Sequence, residues 1–165
     1  MNPETIIEVG ENSVMEMDTV QIKGVDSTKR MTRAKLLEGA SLKVMERLMT
    51  HGTQDAESRF IVDMDGADSG ANIISRSVAK DDSRQLFQSV LNGNAACSGH
   101  TECDAIIVGN AKISSIPEIT ANSSDAALIH EAAIGKIAGE QIVKLMTLGL
   151  TEEEAEAQII NGFLK

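Results

Sequence analysis

Short apolar runs separated by small polar turns dominate the chain from about Thr5 to about Ser124. Several runs alternate apolar and polar positions with a period of two, whereas Ile106–Val108 is continuously apolar, as in a strand covered on both faces. The turns between the runs are rich in Gly, Asn, Asp and Ser, and this combination predicts short β-strands. The predicted strands include Ile6–Val9, Val20–Val25, Phe60–Val62, Asn72–Ile74, Leu86–Phe87, Val90–Leu91 and Ala105–Val108.

The arrangement of these runs limits the architecture. No amphipathic helices separate them, as a doubly wound parallel sheet would require. The one strong hairpin dipeptide is Asn92-Gly93, and a hairpin-built sheet needs several such turns. A stacked solenoid, or β-helix, therefore fits the pattern at least as well as a β-sandwich does, although the sequence shows no strict repeat period.

One segment favours a helix instead. Lys35–Thr50 places Leu and Met residues among good helix formers, with an interruption at Gly39. The alternation of apolar positions is only partial here, so local propensity leans towards an amphipathic helix. If this segment is a strand, tertiary packing has overridden the local preference.

The pattern changes near Asp125. After a transition at Ala126–Gly135, apolar residues at helical spacing predict a helix over Ala138–Leu148 that stops at Gly149. Thr151 is placed as an N-cap, with Glu154 in the capping-box position of a second helix that runs to about Phe163. We therefore expect a strand-rich domain over residues 1–124 and a helical domain over residues 125–165.

Composition excludes some functions. Hydrophobic residues make up 42% of the 165 residues, which is enough for one domain with a real core. Aromatic residues make up 2%, with three Phe and neither Trp nor Tyr, and the formal net charge is −10. Nucleic-acid binding needs clustered basic residues and aromatic stacking platforms, so the composition argues against nucleic acid as the main partner.

The number of cysteines and the sequence of the N-terminus indicate in which cellular compartment the protein is expected. Two cysteines cannot make a disulfide framework, and Met1–Gly10 lacks the basic and apolar stretches of a signal peptide. No apolar run reaches the roughly 18–20 residues of a membrane span. We expect a cytoplasmic protein with reduced thiols and no membrane span.

Candidate chemistry lies in two segments, Cys97–Asp104 and Ile129–Ala133. The first contains two thiols, an imidazole and carboxylates, and the second contains His130-Glu131. These are the side chains that hold sulfur and iron. Other interpretations stay open at this point. Both cysteines could be small buried side chains without a chemical role. Cys97, His100 and Cys103 could form part of a zinc site. His130 could be a structural histidine at an interface.

Several blocks in one order resemble a known family. From about Arg59 to Lys165 the chain resembles the C-terminal half of the SufB/SufD proteins, the scaffold subunits of the Suf iron–sulfur cluster assembly machinery. The matching blocks are Glu102-Cys103-Asp104, Ile116-Pro117-Glu118-Ile119 with Asn122-Ser123-Ser124, His130-Glu131-Ala132, Gly139-Glu140-Gln141, and Gly149–Ala155 leading to Ile159–Phe163. Residues 1–58 resemble β-helix coils of the same family.

The resemblance implies both a fold and a role. The fold is a right-handed parallel β-helix followed by a small helical C-terminal domain. The role is that of a scaffold rather than an enzyme. SufB-like subunits receive persulfide sulfur and build a transient, nascent iron–sulfur cluster, which is not expected to stay tightly bound in the isolated chain. The C-terminal helices, within Gly139–Lys165, dock SufC, an ABC-type ATPase. The chain has no G-x-x-x-x-G-K-[ST] phosphate loop of its own.

The resemblance also assigns residues. Cys103 matches the SufB-type cysteine that accepts sulfur, and His130 and Glu131 match positions predicted to bind the cluster's iron. Glu131 follows His130 where the SufD-type pattern has Gly, which favours a SufB-like assignment. The implied assembly is a homodimer or a SufB/SufD-type heterodimer.

The chain is shorter than the family pattern, so we expect a fragment or a minimal paralogue. Two other functions remain as alternatives. One is a non-catalytic β-solenoid interaction module. The other is a β-helix enzyme of the polysaccharide-lyase or hexapeptide-acyltransferase type, which the missing hexapeptide repeat and the acidic composition disfavour.

Overall fold

The computed structural model describes residues 2–22 and 25–165, and these form ten strands followed by two helices. The strands are β1 (Glu4–Val9), β2 (Val14–Gln21), β3 (Ser27–Leu36), β4 (Ser41–Thr50), β5 (Asp55–Met64), β6 (Gly70–Ala79), β7 (Arg84–Gly93), β8 (Ser98–Ile107), β9 (Lys112–Ala121) and β10 (Ala127–Lys136). The helices are α1 (Gly139–Met146) and α2 (Glu152–Phe163).

The strands form a flattened β-solenoid. Odd-numbered strands make one sheet in the order β1-β3-β5-β7-β9, and even-numbered strands make the other in the order β10-β8-β6-β4-β2. All strand pairs in the described residues are parallel. Paired positions are 27 to 29 residues apart, as in Glu4 with Met31 and Asp55 with Arg84. The predicted mainly β solenoid is confirmed, and the varying turn length explains why no strict period is visible.

The core lies between the two sheets. Alternate residues of the strands point inward, and the buried set includes Leu36, Val44, Phe60, Ile73 and Leu91. Two of the three Phe residues, Phe60 and Phe87, pack with ring centroids 6.0 Å apart. Aliphatic side chains fill much of the remaining narrow interior, and small hydroxyl side chains such as Thr32, Ser75 and Ser89 are also buried.

One carboxylate is also buried in this interior. Glu46 of β4 has no exposed surface. Its Oε1 accepts a hydrogen bond from Ser58 and forms an ion pair with Arg30 at 3.3 Å, while its Oε2 accepts from Ser75 at 2.9 Å. A buried charge of this kind is tolerated only when such partners surround it.

Between the helix and the strand left open for Lys35–Thr50, the structure has strand, against the local helical preference. Leu36 ends β3, Gly39 takes a φ of +64° in the turn, and Ser41–Thr50 forms strand β4. This strand pairs with β2 on one side and β6 on the other. Hydrogen bonding to two neighbours outweighs a local helix preference of a few tenths of a kcal/mol per residue.

The expected boundary between the strand-rich and helical domains needs adjustment. Strand β10 extends the solenoid to Lys136, beyond residue 124, because its backbone pairs along its whole length with β8. Asn92-Gly93 lies at the end of β7, in keeping with the preference for a solenoid over a hairpin-built sheet. Part of the predicted Val20–Val25 strand, Lys23 and Gly24, lies outside the described residues.

The two helices differ in how they pack. Thr151 caps α2 through the predicted capping box, and Ala155, Ile160 and Leu164 near it are buried. Ile160 and Leu164 pack against Val78 of β6, so α2 covers one side of the solenoid. In contrast, α1 buries none of its residues. Within residues 2–22 and 25–165, neither helix is long and apolar enough to cross a membrane.

Candidate sulfur and metal site on strands β8 and β10

Parallel pairing of β8 with β10 decides which candidate residues can meet. Cys103 is paired with Ala132, Thr101 with His130, and Glu102 with Glu131. Because successive side chains in a strand point to opposite faces, Cys103 and His130 face the interior of the solenoid. Glu131 lies on the outer face. The three residues assigned from the resemblance therefore do not share one face within a single chain.

Cys103 is a buried thiol. Only 1% of its surface is exposed, and it belongs to the core cluster between the sheets. Burial raises its pKa to about 11, the hydroxyl of Ser115 on the opposite sheet offsets part of this rise, and the charges of Glu46 and Asp104 add to it. At pH 7 only about one Cys103 side chain in ten thousand is a thiolate.

His130 shares the inner face with Cys103. From strand spacing and rise, their Cα atoms are roughly 8 Å apart. The Nδ1 atom of His130 is buried without a hydrogen-bond partner, and so is Oγ1 of its neighbour Thr101. Burial lowers the pKa of His130, and the nearby His100 lowers it further, so the imidazole is neutral at pH 7. A neutral ring nitrogen without a partner is free to bind a metal ion.

The outer face carries a second group of candidate ligands. His100 Nδ1 lies 3.2 Å from Oδ1 of Asn72, and His100 Nε2 lies 3.2 Å from Oε2 of Glu131. A side-chain hydrogen bond to Asp104 raises the pKa of Glu102, with a further contribution from burial. Ligand atoms of His100, Glu102 and Glu131 all lie within 4.8 Å of one another.

Cys97 does not join either group. It is buried just before β8 begins, six positions ahead of Cys103, or roughly 20 Å along an extended strand. His100 points to the outer face while Cys103 points inward. The zinc-site alternative of Cys97, His100 and Cys103 is therefore wrong, because alternation and distance both separate its ligands.

Sequence reasoning missed the grouping of His100, Glu102 and Asn72 with Glu131. The period-two spacing of His100 and Glu102 places them on one face. Bringing Glu131 and Asn72 beside them requires the register of β8 with β10 and β6. The sequence shows no strict repeat period, so this strand register could not be predicted from it.

Comparison with known proteins identifies the family. Residues 3–163 match the family described as SUF system FeS cluster assembly, SufBD core domain. The chain belongs to the SufBD family. The predicted family relationship and the involvement of this family in iron–sulfur cluster assembly are thereby confirmed.

Relatives within the SufBD family agree with this assignment. An iron-sulfur cluster assembly SufBD family protein of Methanothermobacter thermautotrophicus is 32% identical over 170 residues, covering 99% of this chain and 41% of the relative. A protein with the same family description from Pyrococcus horikoshii is 34% identical over 132 residues, covering 79% of this chain and 40% of the relative. The chain thus spans about two fifths of the length of these relatives.

Proposed function

We propose that this chain is a scaffold in iron–sulfur cluster assembly, on which Cys103 accepts sulfur and a nascent cluster forms. His130 supplies an inner iron ligand beside Cys103, whereas Glu131, which the resemblance also matches to a ligand position, lies on the outer face and does not reach this pair within one chain. The observation that carries the proposal is that a buried thiol and an imidazole whose Nδ1 has no partner lie on the inner face of neighbouring paired strands. The cluster is cargo here, and such sparse ligation suits cargo that is handed on.

The sulfur step is an exchange reaction. The Cys103 thiolate attacks the outer sulfur of a donor persulfide and the donor S–S bond breaks. The donor leaves as a thiolate, so the product is a Cys103 persulfide and no oxidant is consumed. A reducing compartment such as the cytoplasm fits this chemistry, because both cysteines are free thiols.

Persulfide transfer tests this function. When the full chain is incubated anaerobically with glutathione persulfide at pH 8, we expect the Cys103 peptide to gain one sulfur atom in mass spectrometry. Cys97→Ser should behave like the unchanged chain, whereas Cys103→Ser should acquire no sulfur. Sulfur found only on Cys97 would contradict the assignment.

Alkylation of Cys103 by iodoacetamide, measured on the same protein before persulfide is added, supplies a second readout. Because the pKa of Cys103 is about 11, its thiolate fraction rises about tenfold per pH unit below that value. The alkylation rate should follow this rise between pH 7 and pH 10. A rate independent of pH in the folded chain would show that opening of the core, rather than ionisation of the thiol, limits access to Cys103.

The partner that we propose is a SufC-like ABC-type ATPase bound by the C-terminal helices. Support comes from α1, whose apolar side chains are uncovered. Val143 is 59% exposed and Leu148 just beyond the helix is 76% exposed. An apolar groove continues this surface, between α1 and residues such as Val108 and Ile137. Exposed apolar patches of this kind are typical of binding surfaces.

Point substitutions test this contact better than deletion of α2, since deletion would uncover Val78. We expect Val143→Glu combined with Leu148→Glu to weaken binding of the purified SufC-type ATPase by at least tenfold. The melting temperature should change little, because both side chains already face solvent. Val14→Glu, at a position that is 74% exposed on β2, is the matched control and should bind normally. Equal binding by all variants would exclude α1 as the docking surface.

A second scaffold subunit is also part of the proposal. In the described residues, β9 and β10 end the two sheets, and the next turn of the solenoid is absent beyond them. Ile119 and Ile134, which face inward in this last turn, are 43% and 40% exposed. A homodimer, or a heterodimer with a related scaffold, would cover this end and bring further ligands close to His130.

The alternative function is a non-catalytic interaction module with no sulfur chemistry. The burial and raised pKa of Cys103 favour it, because a protonated, covered thiol is a poor nucleophile. The persulfide experiment separates the two functions, since an interaction module would acquire no sulfur on Cys103.

A further inference from the structure

The outer face of the even-numbered sheet gathers one imidazole and two carboxylates. Glu102 of β8 and Glu131 of β10 are direct partners in the parallel register, and His100 lies two residues before Glu102. Their ligand atoms all lie within 4.8 Å of one another. The backbone itself thus brings the three side chains together, and no loop is needed to hold them.

The hydrogen bonds of His100 orient its ring between Asn72 and Glu131. Asn72 Oδ1 is an acceptor, so His100 Nδ1 carries the proton that it receives. The other nitrogen, Nε2, then presents a lone pair to Oε2 of Glu131, 3.2 Å away. A proton on Nε2 makes this contact an ion pair, and a metal ion can take the place of that proton.

The carboxylates of Glu102 and Glu131 also lie directly opposite each other on neighbouring strands. Like charges directly opposite each other on neighbouring strands destabilise a sheet. Asp104 adds a third carboxylate on this face, and Arg76, its register partner, is a nearby positive charge. The carboxyl groups of Glu102 and Glu131 supply oxygen ligands next to the His100 imidazole.

We propose that His100 Nε2 and one carboxylate oxygen each from Glu102 and Glu131 bind a divalent first-row transition-metal ion of the iron(II) class. One nitrogen and two carboxylate oxygens suit iron(II), manganese(II), cobalt(II) or zinc(II) better than calcium or magnesium. Asn72 acts as a positioning residue, because its acceptor fixes the tautomer of His100 and aims Nε2 at the metal. Glu131, with 66% of its side chain exposed, is free to close on the ion.

The surface around the site permits access. A shallow groove runs to His100 along the outer face, and small residues such as Gly70, Ala71, Ser98 and Ala127 line it. Three protein ligands leave coordination positions open for water or for a group brought by a partner. The inference stands apart from the sulfur chemistry of Cys103 and would hold even if Cys103 accepted no sulfur.

Cobalt(II) is the probe, because its visible absorption reports on its ligands. Anaerobic titration of the full chain with cobalt(II) should give one saturable equivalent with visible ligand-field bands, and iron(II) should compete for it. His100→Ala and Glu102→Gln should each weaken binding by at least tenfold. Asn72→Ala, which removes no ligand, should weaken it about tenfold or more.

Two variants are controls. Glu16→Gln removes a carboxylate from the same outer face, on β2, and should bind cobalt(II) normally. Cys103→Ser should also bind normally, which separates this site from the site of sulfur transfer. Absence of binding by the unchanged chain would overturn the proposal, as would loss of binding in Cys103→Ser with retention in His100→Ala. Melting temperatures measured without metal exclude misfolding as the cause.

Discussion

Replacing Glu46 by alanine should lower the free energy of unfolding by about 3–5 kcal/mol, because it breaks a buried ion pair by removing one partner. Arg30, whose side chain is 13% exposed, would keep its charge without a carboxylate. Ser58 and Ser75 would each lose a buried acceptor. For a chain of this length the loss corresponds to a fall in melting temperature of roughly 6–20 °C.

Urea unfolding followed by circular dichroism measures this loss. Glu57→Ala is the matched control, since Glu57 pairs with Lys29 at 3.1 Å and the Lys29 side chain is 61% exposed. An ion pair of that kind contributes about 0–1 kcal/mol. If Glu46→Ala costs no more than Glu57→Ala, the interior carboxylate is not part of what stabilises the solenoid.

The strand regions of the fold could be predicted from the sequence, because period-two alternation reports burial of one strand face directly. The solenoid turn could not, since the number of residues per turn varies from 27 to 29. The choice between helix and strand at Lys35–Thr50 stayed open in the sequence for the same reason. Its Leu and Met residues favour a helix locally, and only the neighbouring strands on both sides make β4 the better structure.

The candidate site was predicted in part. Cys103, His130 and Glu131 were named from the resemblance, and the structure puts all three on the paired strands β8 and β10. Which face each residue occupies depends on strand register, and register depends on turn lengths that the sequence does not reveal. For this reason the inner pair of Cys103 and His130 could not be distinguished from the outer cluster around Glu131.

Loss of cluster formation in Cys103→Ser is the second large effect that we expect. Serine is close to cysteine in size and fits the same buried position, but its hydroxyl cannot accept sulfane sulfur and is a poor iron ligand at neutral pH. His130→Ala should also weaken cluster formation. It should lower the melting temperature by only a few degrees, because the Nδ1 atom of His130 has no partner to lose.

Anaerobic reconstitution with iron(II) and sulfide, followed by visible absorption, tests the scaffold function most directly. We expect sulfur-to-iron charge-transfer bands in the unchanged chain and in Cys97→Ser, whose substitution lies far from the inner site. Cys103→Ser should show none of these bands while keeping its β-rich circular dichroism. Equal absorption in the two serine variants, or no bands in the unchanged chain, would contradict the assignment of Cys103 as the residue on which the cluster forms.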